Sequence, residues 1–202
     1  MKQNGLIHIY EGDGKGKTTA AVGLSIRFAG SGGIVLFTQF LKNNLSAELK
    51  ILEKIEGIHL IRCERKFGFT FQMTPEEKKE AAEYYTKHFH QVLIQVKKLS
   101  LETLQNLEKI EQQKIGRKKS ENTNSPNILL VLDEILVAYH QELVNRQELI
   151  DFLKEKPANV EVVLTGREPM SELLNLADYI TYMKKCKHPY DKGVNARRGI
   201  EW

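Results

Sequence analysis

The chain has 202 residues, of which 41% are hydrophobic and 28% are charged, and its formal net charge is +4. These values are typical of a globular protein that buries a core, and the small positive excess permits an anionic ligand without indicating nucleic acid. No stretch approaches the ~20 apolar residues that cross a bilayer, and the first apolar run is too short for a signal peptide. Cys63 and Cys186 lack metal-ligand spacing and predict reduced thiols, so we expect a cytoplasmic protein.

Six short apolar segments predict the strands of one sheet. Each is continuously apolar rather than alternating, which is typical of parallel strands covered on both faces by helices. Helical stretches lie between most of them, and this alternation predicts an α/β fold with a mostly parallel sheet, in one domain spanning 1–202. The predicted strands are 6–10, 33–40, 57–63, 127–134, 160–167 and 178–183.

The longest predicted helix covers 74–99. Thr74 is its expected cap, and Glu77 completes a capping box. The polar segment 111–127 has no periodicity and predicts a mobile surface loop; its basic run GRKK has no interleaved aromatic residue, which disfavours nucleic-acid binding there. The long helix carries an apolar stripe that indicates core packing, made of Ala81, Tyr85, Phe89, Val92, Val96 and Leu99, and the other predicted helices are 18–30, 46–56, 136–155 and 169–177.

The segment YEGDGKGKTTAAVG, residues 10–23, resembles a phosphate-binding loop, although Glu11 stands where the pattern G-x-x-x-x-G-K-[ST] has its first glycine. It lies between a predicted strand and a predicted helix, where loop amides and the helix N-terminus can bind phosphate. Lys17 is expected to neutralise a phosphate, and Thr18 or Thr19 to offer a hydroxyl to magnesium. The loop also contains Gly12, Gly14, Gly16 and a second cation, Lys15.

The segment ILLVLDE, residues 128–134, predicts a partner for this loop. An apolar strand brings Asp133 and Glu134 to its C-terminal end, where ligands gather in open α/β sheets. Either carboxylate can hold magnesium directly or through water, and a solvated strand end is the alternative. Loop and strand together predict ATP or GTP with Mg²⁺ (or Mn²⁺). They do not name the reaction, because hydrolysis, phosphoryl transfer and motor function use the same parts.

The remaining segments, among them QFLK, GFTF and KHPYDKGVNARRGIEW, resemble the P-loop type of ATP:corrinoid adenosyltransferase. The resemblance implies that Co(I) of a corrinoid attacks the 5′ carbon of ATP, that triphosphate leaves as one unit, and that adenosylcobalamin or a related adenosylcorrinoid forms. It also implies a P-loop NTPase (RecA-like) architecture, a homodimer and a reduced flavoprotein as electron donor. The matching segments, in order, are 12–32, 35–42, 67–71, 131–135, 162–167, 176–181 and 187–202.

The resemblance also assigns residues. Phe69 and Phe71 match aromatic positions that cover the lower face of the corrinoid, where loss of the axial ligand makes Co(II) easier to reduce. Arg27 matches a position that contacts the nucleotide. The expected catalytic residues are Lys17, Phe69 and Phe71. The expected metal ligands are Thr18, Asp133 and Glu134. Together with the loop, Arg27 completes the expected nucleotide ligands, which are Gly12, Asp13, Gly14, Lys15, Gly16, Lys17, Thr18, Thr19 and Arg27. Four strand-end residues are expected nearby: Gln39, Lys42, Thr165 and Arg167.

Some positions depart from the family pattern. The family usually has Thr at the position of Glu11, often Asn at that of Asp13, and Trp at that of Phe71. An acid inside a triphosphate loop adds repulsion unless a cation offsets it, and a smaller ring covers less of the corrinoid. We therefore expect a divergent member with the same mechanism.

Two other functions stay open at the level of sequence. One is another P-loop ATPase or a small-molecule kinase, and the other is a non-catalytic module that binds a corrinoid or a nucleotide. A generic motor needs neither GFTF nor the sequence of 187–202, which favours the adenosyltransferase. The sequence does not name the corrinoid that serves as substrate.

Overall fold

A computed structural model describes residues 4–42, 46–65, 67–68, 72–113 and 126–201. Its strands are β1 (Ile7–Glu11), β2 (Ile34–Gln39), β3 (Ile58–Leu60), β4 (Ile128–Asp133), β5 (Val160–Thr165) and β6 (Tyr179–Tyr182). They form one sheet in the order β3-β2-β4-β5-β1-β6, in which all neighbouring strands are parallel. All six predicted strands and the α/β fold are confirmed.

The helices connect these strands. They are α1 (Lys17–Gly30), α2 (Leu49–Leu52), α3 (Pro75–Gln113), α4 (Ile135–His140), α5 (Arg146–Glu155) and α6 (Ser171–Leu174), with a 3-10 turn at Pro189–Lys192. The described ranges contain no helix that is both long and apolar enough to span a membrane.

The long helix α3 confirms its predicted start and extends beyond its predicted end. The Thr74 amide donates to Glu77 Oε2 (2.8 Å) and the Glu77 amide to Thr74 Oγ1 (3.2 Å), which completes the capping box. The helix continues past 99 because 100–113 is rich in the helix formers Leu, Glu, Gln and Lys. The predicted loop 111–127 therefore began too early; 114–125 lie outside the described residues.

Three other predicted helices were too long, and one of them, 169–177, keeps only the four residues of α6. The predicted helix 136–155 is two helices, α4 and α5, because Glu142 adopts a left-handed backbone (φ 59°) and Asn145 caps a new helix by accepting the Glu148 amide at 3.1 Å. The predicted helix 46–56 keeps only the four residues of α2, and turns follow it up to Gly57.

The centre of the sheet is covered on both faces, which explains its continuous apolar strands, whereas all four residues of the edge strand β6 are exposed. All six residues of β4 are buried. One face packs against α1 and α2, and the other packs against α3, α4 and α5. The predicted stripe of α3 lies in the second interface, where all its members are buried except the partly buried Leu99. Since the strands are parallel, their C-terminal ends meet at one edge of the sheet, and the loop between β1 and α1 lies there.

Candidate functional site

The loop between β1 and α1 tolerates Glu11 because that residue belongs to the strand. Glu11 is the last residue of β1 and pairs with Tyr182 of β6, so an ordinary side chain fits there. The left-handed backbone begins one residue later, at Gly12 (φ 116°), and returns at Gly16 (φ 120°), where glycine is favoured. The missing first glycine therefore does not distort the loop.

The far side of the loop packs against the chain that leaves β6. The Gly14 amide donates to the Met183 carbonyl oxygen at 2.7 Å, and a Cβ at Gly14 would lie 2.5 Å from that same oxygen. Asp13 Oδ1 accepts the Lys185 amide at 2.9 Å, and this bond lowers the pKa of Asp13. The unexpected acid in the loop thus anchors the C-terminal segment, which we define as residues 184–201.

Lys17 begins α1 and turns back over the loop. Its side chain is buried, and Nζ donates to the Gly12 and Gly14 carbonyl oxygens at 2.7 and 2.8 Å. Burial lowers the pKa of Lys17, and the nearby Glu134 carboxylate opposes this shift. The two carbonyl oxygens therefore hold the Lys17 side chain at the centre of the loop.

Asp133 lies at the centre of a buried hydrogen-bond network at the ends of three strands. Its side chain is 0% exposed. Oδ1 accepts hydrogen bonds from the hydroxyls of Thr18 (2.9 Å) and Thr165 (2.6 Å). Oδ2 accepts from Gln39 Nε2 (3.0 Å) and Lys42 Nζ (2.7 Å). This buried carboxylate is thus fully hydrogen-bonded and paired with a cation, as a buried charge must be.

Glu134 has a different environment. Its backbone is left-handed (φ 62°), and its amide donates to Thr165 Oγ1 at 2.9 Å. Burial raises the pKa of Glu134, and the neighbouring Asp133 carboxylate raises it further. Glu134 lines the cavity at the loop, while Asp133 bonds to Thr18 beneath it. The two acids that the sequence could not distinguish therefore take different positions.

Two adjoining cavities open at this edge of the sheet. The loop cavity, of about 290 Å³, is lined by the loop, Glu134, Arg167 and the C-terminal segment. The wide cavity, of about 760 Å³, lies between α1, α2 and Phe67. Phe67 packs against Tyr84 and Tyr85 of α3. The two cavities share a wall made of Thr18, Thr19, Lys42, Ile200 and Glu201.

The oxygen atoms around Asp133 suit a magnesium ion. Lys42 Nζ donates to Thr18 Oγ1 and Asp133 Oδ2, each at 2.7 Å, so this position already accommodates a cation. Within the described ranges, Gln39 Oε1 is a buried acceptor that has no hydrogen-bond partner. The same ranges contain no cluster of three or more His, Cys, Asp or Glu residues. Magnesium is commonly held by one or two carboxylates together with substrate phosphates, so Thr18, Asp133 and Glu134 are the residues that could hold it.

The comparisons with known proteins decide the family. A model described as ATP:corrinoid adenosyltransferase BtuR/CobO/CobP matches residues 3–202. The chain belongs to this family. It is 29% identical to a corrinoid adenosyltransferase of Sinorhizobium, covering 99% of this chain and 81% of the relative. It is 28% identical to one of Salmonella typhimurium, covering 100% of this chain and 88% of the relative.

A likeness to a solved structure supports the fold alone. ATPases 2 and 3 of EssC from Geobacillus thermodenitrificans align with a TM-score of 0.50 and 17% identity. The alignment covers 98% of this chain, which spans about a third (36%) of the EssC chain. The predicted P-loop α/β architecture of this adenosyltransferase family member is thereby confirmed.

The predicted site residues of this family member are not all brought together. One edge of the sheet brings together the phosphate-loop residues with Thr18, Asp133 and Glu134. Arg27, in contrast, is exposed in the last turn of α1, about 15 Å along the helix from Lys17. Arg27 lines neither cavity, and its contact with nucleotide stays a prediction. Phe69 and Phe71 lie outside the described residues.

Other lining residues were not predicted as ligands. His188 caps the 3-10 turn, since its Nδ1 accepts the Tyr190 amide at 3.2 Å, and both residues line the loop cavity. Glu201 lines both cavities, and no sequence signal indicated this, because only the fold returns the C-terminal segment to the loop. Lys42 and Thr165 were expected near the site, and their bonds to Asp133 are now evident.

Proposed function

We propose that the protein transfers the 5′-deoxyadenosyl group of ATP to Co(I) of a corrinoid and releases triphosphate. Family membership supports this, and one structural observation carries it: the phosphate-binding loop opens into a wider, partly apolar cavity across a shared wall. An enzyme that joins the 5′ carbon of ATP to a large planar substrate needs two such spaces side by side.

The loop cavity suits a leaving triphosphate. As the C5′–O bond breaks, the bridging oxygen stays with the triphosphate, which gains negative charge. Four cationic side chains line this cavity, together with the amides at the start of α1, and fixed charges of this kind stabilise developing charge. No general base is needed, because the nucleophile is a metal centre that carries no proton to remove. The cations are Lys15, Lys17, Lys42 and Arg167.

Magnesium is part of the proposal. Thr18 and Asp133 are the proposed ligands beneath the loop, and Glu134 the proposed ligand from the cavity wall, directly or through water. When bound, the ion would neutralise charge on the triphosphate. The support is the set of oxygen atoms that converge on Lys42 Nζ, together with Gln39 Oε1, which has no hydrogen-bond partner among the residues that the structure describes.

The wide cavity is the proposed corrinoid site. Phe67 lines it, and Phe69 and Phe71 follow within four residues of the chain. We propose that these two rings displace the lower axial ligand of Co(II). Phe69→Ala should then slow turnover from cob(II)alamin much more than turnover from pre-reduced cob(I)alamin. Equal losses with both substrates would indicate simple packing.

Three further features are proposed: a homodimer and a reduced flavoprotein as electron donor, from the family resemblance, and a cytoplasmic location, from the reduced thiols that the sequence predicts. Sedimentation velocity of the purified chain tests the first. For the second, cob(II)alamin should be adenosylated when a reduced flavoprotein replaces a chemical reductant, and not when the flavoprotein is kept oxidised.

The experiment that tests the reaction follows its products. Pre-reduced cob(I)alamin, ATP and magnesium should give a light-sensitive organocobalt spectrum together with one triphosphate per cobalt. Release of phosphate or ADP without a new cobalt–carbon bond would contradict the proposal and favour a P-loop ATPase or kinase. A reaction without protein sets the background rate.

A further inference from the structure

Lys42 stands where a metal ion would be expected. Its Nζ lies 2.7 Å from both Thr18 Oγ1 and Asp133 Oδ2. The Thr18 hydroxyl donates a hydrogen bond to Asp133 Oδ1, so a lone pair of Thr18 Oγ1 faces the Lys42 ammonium group. A metal bound to a threonine hydroxyl uses that same lone pair. Lys42 and a divalent ion therefore compete for the same oxygen atoms.

The backbone before Lys42 directs the side chain to this place. Leu41 adopts a left-handed conformation (φ 58°), which is unfavourable for a leucine and bends the chain sharply after β2. The Lys42 side chain, 26% exposed, then reaches the fully buried Asp133. The pair neutralises a carboxylate that would otherwise be buried without a counter-charge.

We propose that Lys42 occupies the cation position of the metal site in the nucleotide-free enzyme and moves to the triphosphate when ATP and metal bind together. The proposal rests on the magnesium site of the proposed function. Lys42 lines both cavities, so its ammonium group needs only to rotate away from Asp133 to meet a phosphate oxygen in the loop cavity. Asp133 is thus paired with a cation before and after the exchange.

This exchange makes metal binding depend on the nucleotide. Without triphosphate, a divalent ion must displace the ammonium group from Thr18 and Asp133, and the two cations repel at short distance. With triphosphate, the displaced ammonium group gains a new partner. Metal and nucleotide therefore favour each other's binding beyond their direct contact.

The test measures Mn²⁺ binding without nucleotide, by electron paramagnetic resonance of the free ion, in the wild type and in Lys42→Met. The variant should bind one Mn²⁺ about tenfold or more tightly, because both competition and repulsion are removed. Lys42→Arg keeps the positive charge and should bind as weakly as the wild type. Lys154→Met, an exposed lysine of α5, is the matched control and should also bind as the wild type does.

A second measurement follows the same exchange through stability. Without metal, Lys42→Met should melt at a lower temperature than wild type, because Asp133 loses its charge partner, and Mn²⁺ should restore more of the melting temperature than it adds to wild type. If Lys42→Met does not fold, Lys42→Gln repeats both measurements with an uncharged side chain that still donates a hydrogen bond.

Equal Mn²⁺ affinity of wild type and both uncharged variants would overturn the proposal. This outcome is distinct from failure of the proposed function, since the measurement needs neither ATP nor a corrinoid. Loss of adenosyl transfer in the product assay, with the Mn²⁺ difference intact, would leave the lysine exchange standing and refute the reaction.

Discussion

The loop cavity has two walls built in opposite ways. At the strand ends, Asp133 is fully buried and receives four side-chain hydrogen bonds. Across the cavity, the C-terminal segment is exposed at nearly every residue, and its Arg197–Glu201 ion pair lies near the surface. Buried networks keep fixed geometry, while exposed ion pairs contribute little because water and salt screen them. The strand-end wall should therefore determine catalysis, and the C-terminal wall should only tune it.

Lys17→Met should have the largest effect. It removes the buried charge at the centre of the loop, and we expect kcat/KM to fall by about 10³-fold, as when one preorganised charge-stabilising donor is removed. Steady-state adenosylation with cob(I)alamin and ATP measures the loss. Lys15→Met, which removes a cation of the same cavity that does not bond to the loop carbonyls, is the control and should lose much less. Similar losses in both would mean that the cavity responds to total charge alone.

Gly14→Ala should have the next largest effect. The added Cβ would lie 2.5 Å from the Met183 carbonyl oxygen, so the loop or the end of β6 must shift. A displacement of roughly 1 Å at a reacting group can cost about 10²-fold in rate. Gly23→Ala is the matched control, since nothing lies within 4 Å of its Cβ position in α1. It should keep full activity and raise the free energy of unfolding by up to about 1 kcal/mol, measured in urea. An active Gly14→Ala enzyme would show that the loop does not need this close contact.

Asp133→Asn changes the residue at the centre of the strand-end wall. The amide cannot accept all four hydrogen bonds and leaves Lys42 without a counter-charge, so we expect roughly 3 kcal/mol of lost stability. Activity should fall by about 10- to 100-fold, with a higher magnesium requirement, as for other changes that misorient metal ligands.

Glu134→Gln separates the roles of the two acids: it should raise the magnesium requirement without the loss of stability. If Glu134→Gln destabilised the fold as much, the two carboxylates would not have the separate roles assigned here.

Glu201→Gln should have the smallest effect, about two- to threefold in the KM for ATP, because the Arg197 side chain with which it pairs is exposed and solvent screens the ion pair. Arg197 lowers the pKa of Glu201 to about 2 from an ordinary 4.5. A depressed carboxyl pKa stabilises the fold above pH 4.5, and this contribution disappears as the pH falls from 4.5 toward 2. Wild type and variant should therefore show parallel rate profiles between about pH 6 and 8. A tenfold loss of activity in Glu201→Gln would show instead that the C-terminal segment is essential for catalysis.

The same contrast explains what the sequence could predict. Gly16, Lys17 and Thr18 belong to a strand–loop–helix pattern, and Asp133 ends an apolar strand, so local pattern and the rule that ligands gather at strand ends were enough to place them. The anchoring role of Asp13 was missed, because its partner Lys185 is 172 residues away. The exchange position of Lys42 was also missed, since it depends on a left-handed Leu41 that no propensity favours. The end of α3 was misjudged because Thr103 interrupts the apolar stripe after Leu99, although helix-forming residues continue to Gln113.

The most direct test of the reaction follows one oxygen atom. ATP labelled with ¹⁸O at the bridge between C5′ and the α-phosphorus is allowed to react with cob(I)alamin and magnesium. Attack of cobalt on C5′ breaks the C–O bond, so the label should appear in the released triphosphate, and the cobalamin should carry an adenosyl group without it. Label retained in an adenosine-containing product, with phosphate or ADP released, would show cleavage at phosphorus and contradict the account.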